Sequence, residues 1–413
     1  MPELLAPAGD LRCLKTAYMF GADAAYIGGP ALQLRAAKTG FDHQQVHQAV
    51  SLAHSMGKKL YIAANSFLEE SEIGLAAEYA RFLAKAKVDA AIASDMGMVS
   101  ILKEAAPELE VHVSTQANCL NSRAALAWKA MGASRIILGR EATLDDIKRI
   151  RDHLPDDMQI ETFVHGAMCM SYSGRCLLSA YLAVRSANRG SCTQPCRWTY
   201  VLEEQSRPGM YLPIIEDDKG TAILSSHDLC VIEYLDQLKA AGVDSFKIEG
   251  RMKSEYYVAT VVNAYRAAMD GVMDTAAAKA ELDCINHRPY STGFYFSELK
   301  YGHDNRGEYL ADCIYAGYVL SQEKGLIRIE QHGAFCVGDE LELLSPGMPV
   351  RRFTVDTLAD DTGAPSEKAN RSGLEYMLNC PYAVHTGDIL RIRAPKEGSH
   401  TETLNRGSFH KNA

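Results

Sequence analysis

Four cysteines between positions 169 and 196 are the residues whose type and spacing are best suited to chemistry: Cys169, Cys176, Cys192 and Cys196. Four thiolates can hold either a tetrahedral zinc ion or a [4Fe–4S] cluster. The first pair has the form C-x6-C and the second C-x3-C, so the C-x2-4-C knuckles typical of zinc are only half met. Buried structural cysteines are a third interpretation, and the spacing leaves all three open.

The composition restricts the compartment and the partners. The chain has 413 residues, 11 cysteines and a formal net charge of -9. The N-terminal segment does not resemble a signal peptide, and no apolar run is long enough to cross a membrane. We therefore expect a cytoplasmic protein with reduced thiols, and neither a membrane nor DNA as partner. An RNA partner would need a local basic patch.

Short apolar runs alternate with amphipathic stretches along the first three hundred residues. This alternation predicts parallel βαβ units, with strands at 3–5, 24–27, 60–63, 90–93, 111–114, 135–138, 159–164 and 245–248. Eight strands without a G-x-G-x-x-G motif favour an α/β fold of the (β/α)8 TIM-like barrel type over a dinucleotide-binding sheet. Gly21, Gly132 and Gly242 each precede a strand, as left-handed helix ends would.

The domain organisation follows from breaks in this pattern. We predict a TIM-like barrel over 1–300 with a cysteine-rich insertion at about 166–228. Strand-like runs at 316–319, 326–329, 340–343, 352–355 and 389–392 predict a small all-β barrel over 308–396. The polar residues 397–413 are expected to form a flexible tail.

The segment ETFVHGAMCMSYSGRCLLS at 161–179 matches the signature of the collagenase-like peptidases, a U-type family of peptidases with unassigned mechanism. The segments PELLAPAG (2–9), GADAAYIG (21–28), VSTQAN (113–118) and FKIEGR (246–251) agree with it. Within that family the chain most resembles the bacterial members that support tRNA hydroxylation, forming 5-hydroxyuridine at the wobble position. It resembles less closely a member that hydroxylates 23S rRNA.

The resemblance implies a cofactor, a co-substrate and a ligand set. Relatives of this kind carry a [4Fe–4S] cluster and depend on prephenate, which implies an oxygen-independent hydroxylation with prephenate as the possible oxygen donor. The family's cluster ligands map onto Cys169, Cys176, Cys192 and Cys196. Cys230 is an alternate ligand, ranked as a spare or a neighbour.

Polar residues at the C-terminal ends of the predicted strands are the candidates for binding and catalysis, because active sites of such barrels lie there. His165, Glu249 and Arg251 are the catalytic candidates. Arg140 and Arg251 suit the two carboxylates of prephenate, since arginine binds a carboxylate through two parallel hydrogen bonds. The substrate-binding candidates are Asn65, Gln116, Arg140, Glu141 and Arg251, with Ser114 beside them. Structural ion pairs are the competing interpretation.

A basic segment could bind the phosphates and bases of tRNA. Arg185, Arg189, Arg197 and Trp198 lie close together in sequence, and Lys247, Arg251 and Lys253 could extend them into a basic rim. A solvated loop is the competing interpretation of this segment.

Three functions compete at this stage. The first is an iron–sulfur enzyme that modifies tRNA, or rRNA as in the related member. The second is the collagenase-like hydrolase of the family name, although the chain has no H-E-x-x-H or G-x-S-x-G motif. The third is a non-catalytic zinc protein that recruits RNA.

Overall fold

Eight parallel strands close into a barrel. The computed structural model describes residues 1–34, 40–168, 173–176, 193, 195, 215–217, 220–222, 227–296, 309–323 and 325–394. In chain order the strands of this part are β1 (Glu3–Pro7), β2 (Ala24–Gly28), β3 (Lys59–Ala64), β4 (Ala90–Ala93), β5 (Glu110–Val113), β6 (Arg135–Ile137), β7 (Gln159–Ala167), β8 (Ile215–Asp217), β9 (Gly220–Ala222), β10 (Asp228–Cys230) and β11 (Ser245–Ile248). Strands β1 to β7 pair in sequence, and β11 pairs with both β7 and β1, which closes the ring. The predicted (β/α)8 barrel is confirmed.

Amphipathic helices connect the barrel strands. They are α1 (Leu11–Met19), α2 (His43–Ser55), α3 (Ile73–Lys85), α4 (Met96–Ala105), α5 (Ser122–Ala130), α6 (Leu144–Arg151), α7 (Leu235–Ala240), α8 (Glu255–Met269) and α9 (Thr275–Leu282). Side chains cap several N-termini; Asp42, for example, accepts a hydrogen bond from the Gln45 amide before α2. The buried residues of α2 recur at helical spacing, as a helix packed on a barrel requires.

The recurring turn between helix and strand has a left-handed residue. Gly21, Gly132 and Gly242 have φ values of 108°, 99° and 87°. The equivalent position before β4 is Lys87, with φ of 61°. Glycine adopts this conformation without steric cost, which explains why three of the four positions carry it.

Strand β7 extends beyond the barrel and pairs with a second partner. Its last residues pair antiparallel with β10, which places Cys230 opposite His165. Strand β12 (Tyr290–Ser291) continues this layer by pairing with β10. Strands β8 and β9 form a separate hairpin within the segment between β7 and β10.

An antiparallel all-β region follows the barrel, as expected. Its strands are β13 (Cys313–Glu323), β14 (Leu326–Gln331), β15 (Phe335–Cys336), β16 (Glu340–Leu344), β17 (Arg351–Thr354), β18 (Leu358–Asp360), β19 (Lys368–Ala369), β20 (Glu375–Asn379) and β21 (Ile389–Arg393). Seven of them form one sheet in the order β17-β16-β21-β13-β14-β20-β18, and β15 pairs with β19. Alternate residues of these strands enclose an apolar core of their own.

Ion pairs, one of them buried, fix the all-β region against the barrel. Arg12 on α1 makes two 2.9 Å hydrogen bonds to the Glu330 carboxylate on β14. Arg391 on β21 is fully buried and contacts Glu281 on α9 at 2.9 Å and Glu342 on β16 at 2.8 Å. A charged group as deep as Arg391 needs such partners, so the two regions hold a defined arrangement. Among the described helices, none is long and apolar enough to span a membrane.

Candidate functional site

A cavity opens at the C-terminal ends of the barrel strands, where active sites of this fold lie. Most of the side chains proposed from the sequence line it: Asn65, Ser114, Gln116, Arg140, Glu249 and Arg251. The barrel brings these residues together from positions far apart in the sequence because parallel strands end at one edge.

Arg140 crosses the cavity between an acid and an aromatic ring. Its guanidinium lies 3.5 Å from the Glu249 carboxylate and 4.1 Å from the centre of the Phe163 ring. Stacking on an aromatic face leaves the edge of a guanidinium available for a planar acceptor such as a carboxylate. The cation is thus held in place by groups on β7 and after β11.

Arg251 is held from the opposite side. Its Nη1 donates a 2.9 Å hydrogen bond to the side-chain oxygen of Gln33, whose amide nitrogen donates to the Gly29 carbonyl at 2.7 Å. The Arg251 guanidinium also lies 6.0 Å from the centre of the Tyr26 ring. Across the barrel mouth, Glu249 therefore contacts Arg140, and Arg251 contacts Gln33.

Lys247 lies at the floor of the cavity. Its Nζ donates a 2.8 Å hydrogen bond to Glu161, which also accepts a 2.9 Å bond from Arg135. Burial alone would raise the pKa of Glu161, but the attraction of Lys247 and Arg135 outweighs it and lowers that pKa to about 2. Burial lowers the pKa of Lys247, and the nearby Glu161 opposes this only in part.

The interpretation that Lys247 and Arg251 could extend a basic rim was wrong. Lys247 is only 4% exposed and Arg251 only 6%, because both side chains project into the barrel. Lys253 is half-buried, with its Nζ 5.6 Å from the ring centre of the exposed Tyr309. Arg185, Arg189, Arg197 and Trp198 lie outside the described residues.

The cavity carries an excess of positive charge. Among its described lining side chains, Arg140, Lys247 and Arg251 are cationic and Glu249 is anionic. Aromatic walls from Tyr26 and Phe163 lie between these cations. Such a lining suits a small, unsaturated dianion, since charge is neutralised while the apolar part contacts the rings.

Polar side chains on the other wall are oriented by each other. The Asn65 amide lies 3.4 Å from Ser114 Oγ, and its oxygen accepts a hydrogen bond from the Leu34 amide at 3.3 Å. Ser114 Oγ accepts a bond from the Gln116 amide at 3.2 Å and so caps the short helical turn Thr115–Ala117. These contacts leave Gln116 at the rim.

Residues 173–176, which belong to the cysteine segment (169–196), dock on this rim. The Glu141 carboxylate accepts 2.7 Å and 3.2 Å hydrogen bonds from the amide and hydroxyl of Ser173. Gly174, with φ of 72°, packs so closely on Gln116 that a side chain would collide with its carbonyl oxygen. Glu141, proposed as a substrate contact, therefore anchors the segment that carries the half-buried Cys176.

Of the four cysteines predicted to hold a [4Fe–4S] cluster, Cys176 lies among the described residues. Met168, the last described residue before the segment, lines the cavity, and Gly174 packs against the same mouth. Cys169, Cys192 and Cys196 lie outside the described residues, and no group of three potential metal ligands occurs among those that are described. The four thiols of this segment remain the predicted ligand set.

His165 and Cys230 lie behind the cavity wall. A bulge in β7 pairs Phe163 with Lys247 but His165 with Ile248, which turns the imidazole toward α8. His165 Nδ1 is 3.4 Å from the Tyr265 hydroxyl, and Cys230 Sγ is 4.0 Å from the same oxygen. Burial lowers the pKa of His165 to about 3 and raises that of Cys230 to about 11.

Some residues of the site were missed in the sequence. Tyr26 and Phe163 supply its walls, and Gln33 contacts Arg251. None of the three is a polar residue at the end of a strand. A signal for Lys247 did exist: residues 245, 247, 249 and 251 alternate along β11 and its extension, so they share the inner face.

Two family models match the chain, one for each region. The model of peptidase family U32 matches residues 9–305, and the model of the peptidase family U32 C-terminal domain matches residues 311–391.

Individual relatives cover almost all of the chain. It is 34% identical to tRNA hydroxylation protein P of Escherichia coli over 95% of this chain and 96% of that protein. It is 36% identical to tRNA hydroxylation protein P1 of Bacillus subtilis, covering 88% of each. It is 37% identical to the 23S rRNA 5-hydroxycytidine C2501 synthase of Escherichia coli over 66% of this chain but only 40% of that protein.

Proposed function

We propose, on the premise that the chain belongs to peptidase family U32, that it is an RNA-modifying enzyme that hydroxylates tRNA. The observation that carries this proposal is 34% identity to tRNA hydroxylation protein P along nearly the full length of both chains. The coverage includes the barrel and the all-β region, so the relative and this chain share one domain organisation.

In finer detail, we propose that the product is 5-hydroxyuridine at the wobble position, formed without molecular oxygen in the cytoplasm. Conversion of a C5–H bond into C5–OH adds one oxygen atom and is a two-electron oxidation. The resemblance implies that prephenate is the co-substrate, and the lining of the cavity supports this choice. Arg140 and Arg251 can each bind a carboxylate, while Tyr26 and Phe163 can contact the ring.

We propose Cys169, Cys176, Cys192 and Cys196 as ligands of a [4Fe–4S] cluster. When bound, such a cluster would supply a redox centre. The chain's own residues have separate tasks: Glu141 and Gln116 fix the cysteine segment, Glu249 orients Arg140, and Gln33 orients Arg251.

A peptidase function has less support. His165 faces α8 instead of the cavity, and the described lining contains no Ser–His or Cys–His pair. A nucleophile and a base within hydrogen-bonding distance are required for covalent peptide hydrolysis.

The test is nucleoside analysis of tRNA from a strain that lacks this gene. We expect 5-hydroxyuridine and its derivatives to disappear, and to return with the wild-type gene but not with Arg140→Ala. Loss of 5-hydroxycytidine from 23S rRNA with unchanged tRNA would replace the proposal with the rRNA reaction. Iron, sulfide and zinc analysis of anaerobically purified protein tests the cofactor: zinc without sulfide would contradict the cluster.

A further inference from the structure

Lys247 sits between two aromatic rings, each of which also faces an arginine. Its Nζ is 4.4 Å from the centre of the Tyr26 ring and 5.5 Å from that of Phe163. Tyr26 faces Arg251 as well, and Phe163 faces Arg140. The three cations and two rings thus form a continuous surface, with the lysine at its deepest point.

The surroundings of Lys247 resemble those that activate an amine. Burial and neighbouring cations both favour the neutral form of a lysine, and an amine must be neutral to attack a carbonyl carbon. Glu161 opposes deprotonation, but its carboxylate is shared with Arg135, and the pKa of Lys247 is lowered by burial on balance. The 2.8 Å bond to Glu161 fixes the direction in which Nζ points.

We propose that Lys247 is a nucleophilic catalytic residue that forms an imine with a small 2-oxo acid bound in the cavity. This inference rests on the proposed function, because prephenate carries both a 2-oxo acid group and a second carboxylate. Arg140 and Arg251 bind the two carboxylates, and the carbonyl carbon then faces the amine at the floor.

The step is a condensation and transfers no electrons. The Lys247 ammonium first releases a proton to water in the open mouth. The amine nitrogen then forms a bond to the carbonyl carbon, loses its two remaining protons, and the carbonyl oxygen leaves as water. The product is a C=N bond that draws electron density from the attached carbon skeleton. Glu161 is a positioning residue. Its carboxylate bonds to Lys247 and Arg135 and acts on the bound 2-oxo acid only through Lys247.

Reductive trapping tests the imine directly on the complete protein. The wild type is incubated with pyruvate or with prephenate and sodium cyanoborohydride, which reduces imines much faster than ketones. We expect each chain to gain one reduced adduct, located on Lys247 by peptide mass spectrometry. Lys247→Arg keeps the positive charge but cannot form the imine, so the adduct should be lost. Lys129→Arg, at a surface lysine paired with Asp157, should leave trapping unchanged.

Labelling confined to surface lysines, or no labelling, would overturn the proposal. Because trapping on the wild type needs neither RNA nor a folded variant, its failure is separate from a failure of the proposed function. Complementation adds a second readout: Lys247→Arg should lose at least 100-fold in tRNA hydroxylation if the amine is a nucleophile. Near-normal hydroxylation by Lys247→Arg would mean that Lys247 acts only as a cation, and would also overturn the proposal.

Discussion

Gly174 packs directly on the backbone of Gln116, with no room for a side chain between them. The contact joins the cysteine segment to the end of β5, and Ser173 adds hydrogen bonds to Glu141. Cys176 therefore follows a point that is fixed to the barrel from two sides. We expect a cluster held by this cysteine to depend on that attachment.

Gly174→Ala should displace the segment and reduce the iron and sulfide content of anaerobically purified protein by more than half. The matched control is Gly57→Ala, because Gly57 has a similar φ of 66° but open space around the added methyl group. Both substitutions carry the backbone cost of about 1 kcal/mol for a left-handed alanine. If both variants keep full iron content, the contact with Gln116 does not support the cluster.

Cys176→Ala should abolish the cluster, while Cys230→Ala should retain most of it. Cys230 is buried beside Tyr265, so its loss should instead lower the free energy of unfolding by about 1 kcal/mol. Visible absorption, iron and sulfide of the two variants provide the measurement. The ligand assignment fails if Cys230→Ala is as damaging as Cys176→Ala.

The barrel could be predicted from the sequence because its signals are local. Each strand is a short apolar run, each helix has its own periodicity, and glycine marks three of the four helix ends discussed above. Strands β10 and β12 were not predicted, because strands of two or three residues have no visible periodicity. Their pairing depends on contacts between residues far apart in the sequence, such as Cys230 and His165.

The site was predictable only at the level of strand ends. Because active sites of such barrels lie at the C-terminal ends of the strands, Arg140, Glu249 and Arg251 could be identified as cavity residues. This rule did not give the direction of His165, because the bulge in β7 reverses the alternation of side chains and leaves no mark in the sequence. Nor did it give the depth of Lys247, which depends on its pairing with Glu161 inside the barrel.

Arg140→Lys should weaken the use of prephenate although the charge is kept. Lysine cannot make the forked contact to a carboxylate or stack flat on Phe163. We expect the prephenate concentration for half-maximal tRNA hydroxylation to rise about 10-fold, which corresponds to about 1.4 kcal/mol. Arg149→Lys is the control, because this exposed arginine lies outside the cavity and forms a surface ion pair with Asp146. An unchanged prephenate dependence in Arg140→Lys would remove Arg140 from the binding site.

Glu161→Gln should destabilise the barrel by about 3 kcal/mol at neutral pH, because Lys247 and Arg135 lose their shared carboxylate. The folded pKa of Glu161 is about 2 and lies below its ordinary value, so its contribution is complete above pH 4.5 and is lost as the pH falls toward 2. The difference in Tm between variant and wild type should shrink over that range. Glu375→Gln, at an exposed pair with Arg328, should cost less than about 1 kcal/mol.

His165→Phe should make the stability of the protein less sensitive to mild acid. Burial lowers the pKa of His165 in the folded protein to about 3. In mild acid the folded chain therefore binds fewer protons than the unfolded chain does. The contribution of the neutral imidazole is complete above about pH 6.5 and declines, by up to about 1.4 kcal/mol per pH unit, as the pH falls toward 3. Thermal unfolding at pH 8, 7 and 5 measures this contribution. The free energies of unfolding of the two proteins should change in parallel between pH 8 and 7. Between pH 7 and 5 that of the wild type should fall by about 2 kcal/mol more than that of His165→Phe. An equally steep loss in His165→Phe would mean that this histidine is protonated in the folded protein.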